Sequence, residues 1–345
     1  MRKILFALMF MVATLFTSCS HDIIDYKEAV TEKYKVEFVN TFGTPDIEHN
    51  WGFEEVALTR SADVNSNMWD YTPPAITQEE ITKVNNYFKN HPNPTSIEVE
   101  WQNFFVQHVI GNHGNMDQLR VNDNDHVNNF NANNGSVMKM VNTSSTKFNY
   151  HNSLDSKYHY EYVILEIDGS YYVGFDFCAT GQNPNQKEAA DGIYNDWIVK
   201  ISPAYNKIVI AEDLGASVSD YDFNDVVFGI DNKNVVTLLA AGGTLPLTID
   251  GIEVHEKFGV SIRTMVNTGA GPSLPPVQFK IGTYDRIQDI PLVVSGSYPI
   301  PYFKGEPSAK ICVDRGFTWT AEQVPIYNVY PRFKDYVTNQ NVIWY

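Results

Sequence analysis

The stretch Tyr160–Ala179, YEYVILEI-DG-SYYVGFDFCA, constrains the fold more than any other. Two runs of β-branched and aromatic residues flank Asp168-Gly169. That dipeptide tolerates the positive φ angles of a tight hairpin turn, so the two runs are expected to pair antiparallel. Further runs of the same kind follow: DWIVKI, KIVIAEDL, VVFGI, NVVTLLAA, PVQFKIGTY, IPLVV and SAKICV. Turn residues separate them. The pattern predicts a mainly β protein, an antiparallel β-sandwich or jelly-roll-like domain. Trp197–Ile201 and Lys207–Ile210 are expected to form a second hairpin over Ser202–Asn206. VVFGI is expected to pair antiparallel with KIVI.

The N-terminal third follows a different pattern. Tyr26, Val30, Tyr34 and Phe38 lie four apart on one helical face, with Gly43 placed as a C-terminal cap. In TQEEITKVNNYF, Thr77 and Glu80 have capping-box spacing before a stripe of Ile81, Val84 and Phe88. IEVEWQNFFVQHVIG reads equally as strand or short helix. Met116–Asn152 is rich in Asn, Asp, Ser and Gly, and reads as a long loop or insertion. A short helical and loop-rich region therefore precedes the sandwich. The divisions are 1–18, 19–95 (tether and helices), 96–159 (an Asn/Asp-rich segment packed on the β domain) and 160–345 (the β domain).

Residues 1–18 read as a signal peptide. Arg2 and Lys3 precede an apolar run, Ile4–Phe16, shorter than the ~18 residues of a spanning helix. Thr17 and Ser18 before Cys19 resemble a bacterial lipobox. That resemblance implies cleavage before Cys19, its lipidation, and attachment to a membrane through the lipid. An ordinary secretory signal with an incidental cysteine is the other reading. An exported compartment permits a Cys178–Cys312 disulfide; two buried thiols are the alternative.

The net charge is −16, with 41 Asp+Glu against 25 Lys+Arg. This excludes a nucleic-acid role, because no basic stripe is present to neutralise phosphates. No P-loop, dinucleotide fingerprint or G-x-S-x-G occurs. VHEKFG lacks the second histidine of a zinc helix, which makes His255 structural. Asp46, Glu48 and His49 read as a turn beside a buried Trp51. Asp123–His126 is a weaker oxygen-rich candidate.

The stretch SDYDFNDVVFGID, Ser219–Asp231, carries the densest chemistry. Asp220, Asp222 and Asn224 occupy positions 1, 3 and 5 of a calcium loop, but Asp225 replaces the obligatory glycine and Asp231 the bidentate glutamate. It is not an EF-hand. The two expected strand pairings would gather Asp191, Asp196, Glu212, Asp213, Asp220, Asp222, Asn224 and Asp225 at one sheet rim. Oxygen ligands in that number suit Ca²⁺, and the absence of His and Cys disfavours zinc. An Asx-rich turn without a cation is the alternative.

KIVIAEDLGASVSDYDFNDVVFGI, AAGGTLPLTIDGIEVHEKFG with MVNTG, and VPIYNVYPRFKDYV together resemble the LruC-domain lipoproteins of Gram-negative outer membranes. The resemblance implies an exported, lipid-anchored and non-catalytic envelope protein, at the cell surface or on the periplasmic face. It gives Glu212, Asp213, Asp220, Asp222, Asn224 and Asp225 as signature positions without naming a ligand. The expected role is binding or adhesion, with a glycan or a surface protein as partner. A structural surface-assembly subunit is one alternative. A polysaccharide hydrolase using paired carboxylates is another.

Overall fold

Asp168 and Gly169 form the predicted turn, with φ of 49° and 71° and Ile167 opposite Ser170. The computed structural model describes residues 28–53, 71–111, 117–121, 137–141, 148–152, 158–179, 191–214, 219–231, 234–296 and 298–345. The signal peptide, Cys19 and Asp123–His126 lie outside the described residues.

In chain order the first strands are β1 (Asn103–Gly111), β2 (Asp117–Val121), β3 (Val137–Val141), β4 (Phe148–Asn152), β5 (Tyr158–Ile167), β6 (Ser170–Ala179) and β7 (Trp197–Pro203). Then come β8 (Lys207–Ala211), β9 (Val226–Ile230), β10 (Val235–Ala240), β11 (Leu247–Ile249), β12 (Ile252–Glu253), β13 (Val277–Lys280), β14 (Leu292–Val294), β15 (Tyr298–Pro299) and β16 (Lys310–Asp314). The chain is mainly β, and its sheets are antiparallel. One five-stranded sheet has the order β3-β1-β7-β6-β5, and the other β13-β10-β9-β8-β16. A four-stranded sheet, β12-β11-β14-β15, shares one core with the second five-stranded sheet. Ile208, Ile210, Leu247, Ile249, Leu292 and Val294 all contribute to that core, which makes this lobe a sandwich.

The ambiguous segment at 97–111 resolves as strand β1, paired with β3 and β7. The Asn-rich stretch also contributes β2, β3 and β4, so it is less loop-like than its composition indicates. Strand pairing supplied by partners elsewhere in the chain outweighs weak local preference.

The N-terminal helices go to different lobes. Helix α1, residues 28–42, packs Tyr34, Phe38 and Phe42 into the sandwich core and is capped by Gly43, whose N–H donates to Val39 O at 2.9 Å. Trp51 follows it inward, donating from Nε1 to Glu306 O at 2.8 Å, and His49 stacks on its ring. Helix α2 (Gln78–Asn90) is capped by Thr77, whose Oγ1 accepts from Glu80 N at 3.1 Å. Its Val84 and Phe88 cover one face of the first five-stranded sheet.

Two expectations are corrected here. Strands β7 and β8 do not form a hairpin. β7 is flanked by β1 and β6, and β8 by β9 and β16, so the chain crosses from one sheet to the other at Ala204–Asn206. Turn residues between two strands mark a change of direction, and they do not specify which neighbour each strand pairs with. The Cys178–Cys312 bridge is also not formed: Cys312 is a buried thiol on β16, and Cys178 lies on β6 in the other five-stranded sheet.

The lobes meet through Gln278. Its Oε1 accepts from Gln102 N and Asn103 N at 2.7 and 2.8 Å, and its Nε2 donates to Asn103 O and Thr237 Oγ1. Trp101 Nε1 reaches Pro276 O at 2.8 Å across the same junction. Among the described residues no helix is long and apolar enough to cross a membrane.

Candidate metal centre

The expected β8–β9 pairing is present, with Ala211 opposite Val226. This register alone sets Glu212 and Asp213, just past β8, beside Asn224 and Asp225, just before β9. The backbone N–H of Asp213 donates to Asp225 Oδ2 at 2.6 Å.

Aromatic anchors orient the loop that precedes β9. Tyr221 packs among Tyr34, Phe38 and Phe42, and Phe223 packs against Phe333. Both adopt positive φ, 56° and 54°, where a side chain costs roughly 1–2 kcal/mol. Burial of the two rings offsets that cost. With Tyr221 and Phe223 committed to the core, Asp220, Asp222 and Asn224 are left to line the opposite side.

Carboxylate oxygens of Glu212, Asp220 and Asp222 lie within 4.8 Å of one another, and this cluster could hold a metal ion. Glu212 is 1% exposed and Asp222 2% exposed, so two of the three carboxyls sit out of bulk water. Glu212 Oε1 accepts from Phe223 N and its Oε2 from Ser219 Oγ, each at 2.5 Å. Asp222 Oδ1 accepts from Asn224 N at 3.1 Å, and its Oδ2 from Gln323 N at 2.8 Å.

These bonds do not offset burial and repulsion. Burial, then the charges of Asp222 and Asp220, push Glu212 well above the ordinary carboxyl range. Burial and Asp220 push Asp222 up to about 6. Burial followed by Asp213 and Glu212 raises Asp225. None of the ion pairs among the described residues involves Glu212, Asp220, Asp222, Asp225 or Glu322. A proton or a cation is needed to relieve such a group. The ligand set is all oxygen, which suits a hard divalent ion rather than zinc.

Two unsatisfied acceptors point the same way. Asn224 is fully buried; its Nδ2 donates to Thr320 O at 3.2 Å, yet its Oδ1 accepts nothing. Glu322 Oε2 is likewise buried without a partner. Burial and the charges of Asp222, Asp220 and Asp213 push Glu322 to about 7. A buried oxygen left without a donor costs roughly 1–3 kcal/mol.

Glu322 was not legible as a site residue. It reaches the cluster from the C-terminal segment, which Thr320 Oγ1, donating to Asp222 O at 2.5 Å, fastens to the loop. Nothing in TAEQVP marks it locally. Asp231 lies at the far end of β9, where its Oδ1 accepts from Val235 N at 3.1 Å. It takes no part in the cluster, consistent with the departure from an EF-hand.

Asp191 and Asp196 are a correction. Because β7 and β8 part, both belong to the first five-stranded sheet, near Asp176. Asp191 Oδ1 accepts from Ile193 N at 2.8 Å and serves a turn. His255 is structural as expected: it is fully buried, with Nδ1 2.7 Å from Glu253 Oε1 and Nε2 2.9 Å from Gly243 O.

Comparison with protein-family models, with curated proteins and with solved structures finds no match for this chain.

Proposed function

We propose that this is an LruC-like, lipid-anchored envelope protein that acts as a non-catalytic binding or adhesion module, with Ca²⁺ ordering the acidic loop. The observation that carries the cation reading is the convergence of Glu212, Asp220 and Asp222 within 4.8 Å, with no basic partner to Glu212, Asp220 or Asp222 among the described residues. Ca²⁺ fits best among hard ions, since it accepts six to eight oxygens in flexible geometry. Asp213, Asp225, Glu322 and the Asn224 side-chain oxygen supply further oxygens nearby. The lipobox-like sequence before Cys19 supports the anchor.

The hydrolase alternative finds less support. Both oxygens of Glu212 are engaged by Ser219 and Phe223, and Asp222 holds two backbone N–H groups. Such carboxyls are poorly free to exchange a proton with a substrate.

Thermal melting with Ca²⁺ and with EDTA tests the cation. Ca²⁺ is expected to raise the midpoint of the wild type, and Asp222→Ala to remove the rise. A midpoint indifferent to EDTA overturns the reading. Metabolic labelling with a fatty acid tests the anchor: label lost in Cys19→Ser supports it, and an unlabelled wild type refutes it.

A further inference from the structure

A groove of about 770 Å³ lies between the two lobes. Tyr71 enters it from the segment before α2, Tyr205 from the β7–β8 crossing, and Arg315 and Trp319 from the segment after β16. The Arg315 guanidinium lies between two rings, its Cζ 4.2 Å from the centroids of both Tyr71 and Tyr205. One N–H is used, Nη1 donating to Tyr205 O at 2.8 Å. The other N–H groups have no partner among the described residues, and Arg315 makes no ion pair there.

The chemistry of that position is specific. The two rings hold the guanidinium and strip it of part of its water, and Arg315 lines the groove. An edge-on guanidinium matches a planar carboxylate through two parallel N–H bonds. Elsewhere in the groove, Lys200 Nζ and Glu80 Oε1 pair at 2.7 Å, offering a donor and an acceptor side by side. Trp319, half-buried, adds aromatic surface. Flat apolar faces alternating with paired polar groups suit pyranose rings and their hydroxyls better than the side chains of an extended peptide. The volume falls within the ~300–1,000 Å³ of small-ligand sites.

We propose that this groove binds a carboxylate-bearing oligosaccharide, with Arg315 holding the carboxylate and Trp319 flanking a sugar ring. The proposal rests on the binding-module reading and names its ligand class.

Titration of the mature chain in Ca²⁺ with trigalacturonate and with its methyl ester tests this, read by calorimetry and tryptophan fluorescence. The acid is expected to bind at least about tenfold tighter than the ester, the worth of a charge-assisted pair. Arg315→Gln should erase that difference, and Arg315→Lys should restore only part of it. Ser273→Trp, on the exposed lip of the groove, should block the acid form; it decides the matter if the Arg315 variants do not fold. The proposal is overturned if neither sugar binds, if the ester binds as tightly as the acid, or if Arg315→Gln keeps the preference. Melting with Ca²⁺ on the same samples separates the two readings. A Ca²⁺ shift without sugar binding sinks only the groove, and sugar binding without the shift sinks only the cation.

Discussion

Each five-stranded sheet carries a group of acids at the end of a strand, and the two groups behave differently. In the first sheet Asp191 and Asp196 are exposed, and the one buried member, Asp176, accepts from Gly192 N at 2.8 Å. Burial raises Asp176, but water surrounds the acids beside it. In the second sheet Glu212, Asp213 and Asp222 are all buried, and their repulsion acts through a poorly polarisable medium. The aromatic-Asn-Asp sequence is nearly the same at both places, YNDWIV and FNDVVF. Depth makes the difference, and depth comes from α1 and the C-terminal segment closing over one loop and not the other. Acid density alone does not make a site.

The largest effect should separate the groups by cation. At about a hundredfold excess over its dissociation constant, Ca²⁺ adds roughly 2.7 kcal/mol of stability. The double variant Asp191→Ala/Asp196→Ala should keep that gain in full when its melting is measured. If it loses the gain, the first group takes part in binding and the distinction collapses.

Glycine substitutions come next. A Cβ at Gly242 would fall 2.1 Å from Asn224 Oδ1 and 2.8 Å from Asn224 O, so the acidic loop would have to move. Gly169, at the hairpin turn of the other sheet, meets nothing within 4 Å. Denaturant melts should show Gly242→Ala costing about 2–3 kcal/mol and Gly169→Ala about 1, the latter from its positive φ alone. Equal costs would mean the loop adapts freely.

A smaller effect is expected from pH. Asp222 and Glu322, raised to about 6 and about 7, keep protons that unfolded carboxyls release near pH ~4. Their contribution is complete below the unfolded value and is lost as pH rises through the folded one. The metal-free protein should therefore lose stability between about pH 4 and about 7, and saturating Ca²⁺ should flatten that fall. A metal-free midpoint that rises over this range contradicts the burial assigned to these acids.

The smallest effect has an unusual sign. Glu322→Gln should stabilise the metal-free protein slightly, by about 1 kcal/mol or less because the residue is half-buried, while weakening Ca²⁺ binding. Asp191→Asn should do neither. Calcium titrations followed by melting would resolve both.

Local grammar carried much of this fold. The Asp168-Gly169 hairpin and the Thr77 and Gly43 caps follow from residues a few positions apart, because turns and caps are satisfied by near neighbours, and the β8–β9 ladder pairs two strands consecutive in the chain. The same ladder made Glu212, Asp213, Asn224 and Asp225 legible as one group. Asp191 and Asp196 were misplaced because β7 had equally good partners in either sheet, and a short turn does not express that choice. Glu322 and Arg315 were invisible for a related reason: each owes its role to neighbours about 100 residues away or more.

By itself, then, the sequence determined the β architecture, the composition of the acidic loop and its departure from an EF-hand, since these rest on period, turn chemistry and spacing. Only the tertiary structure decided which acids are buried together, which stay in water, and which rings enclose Arg315. Those properties depend on what covers a side chain, and here the covering comes from distant parts of the chain.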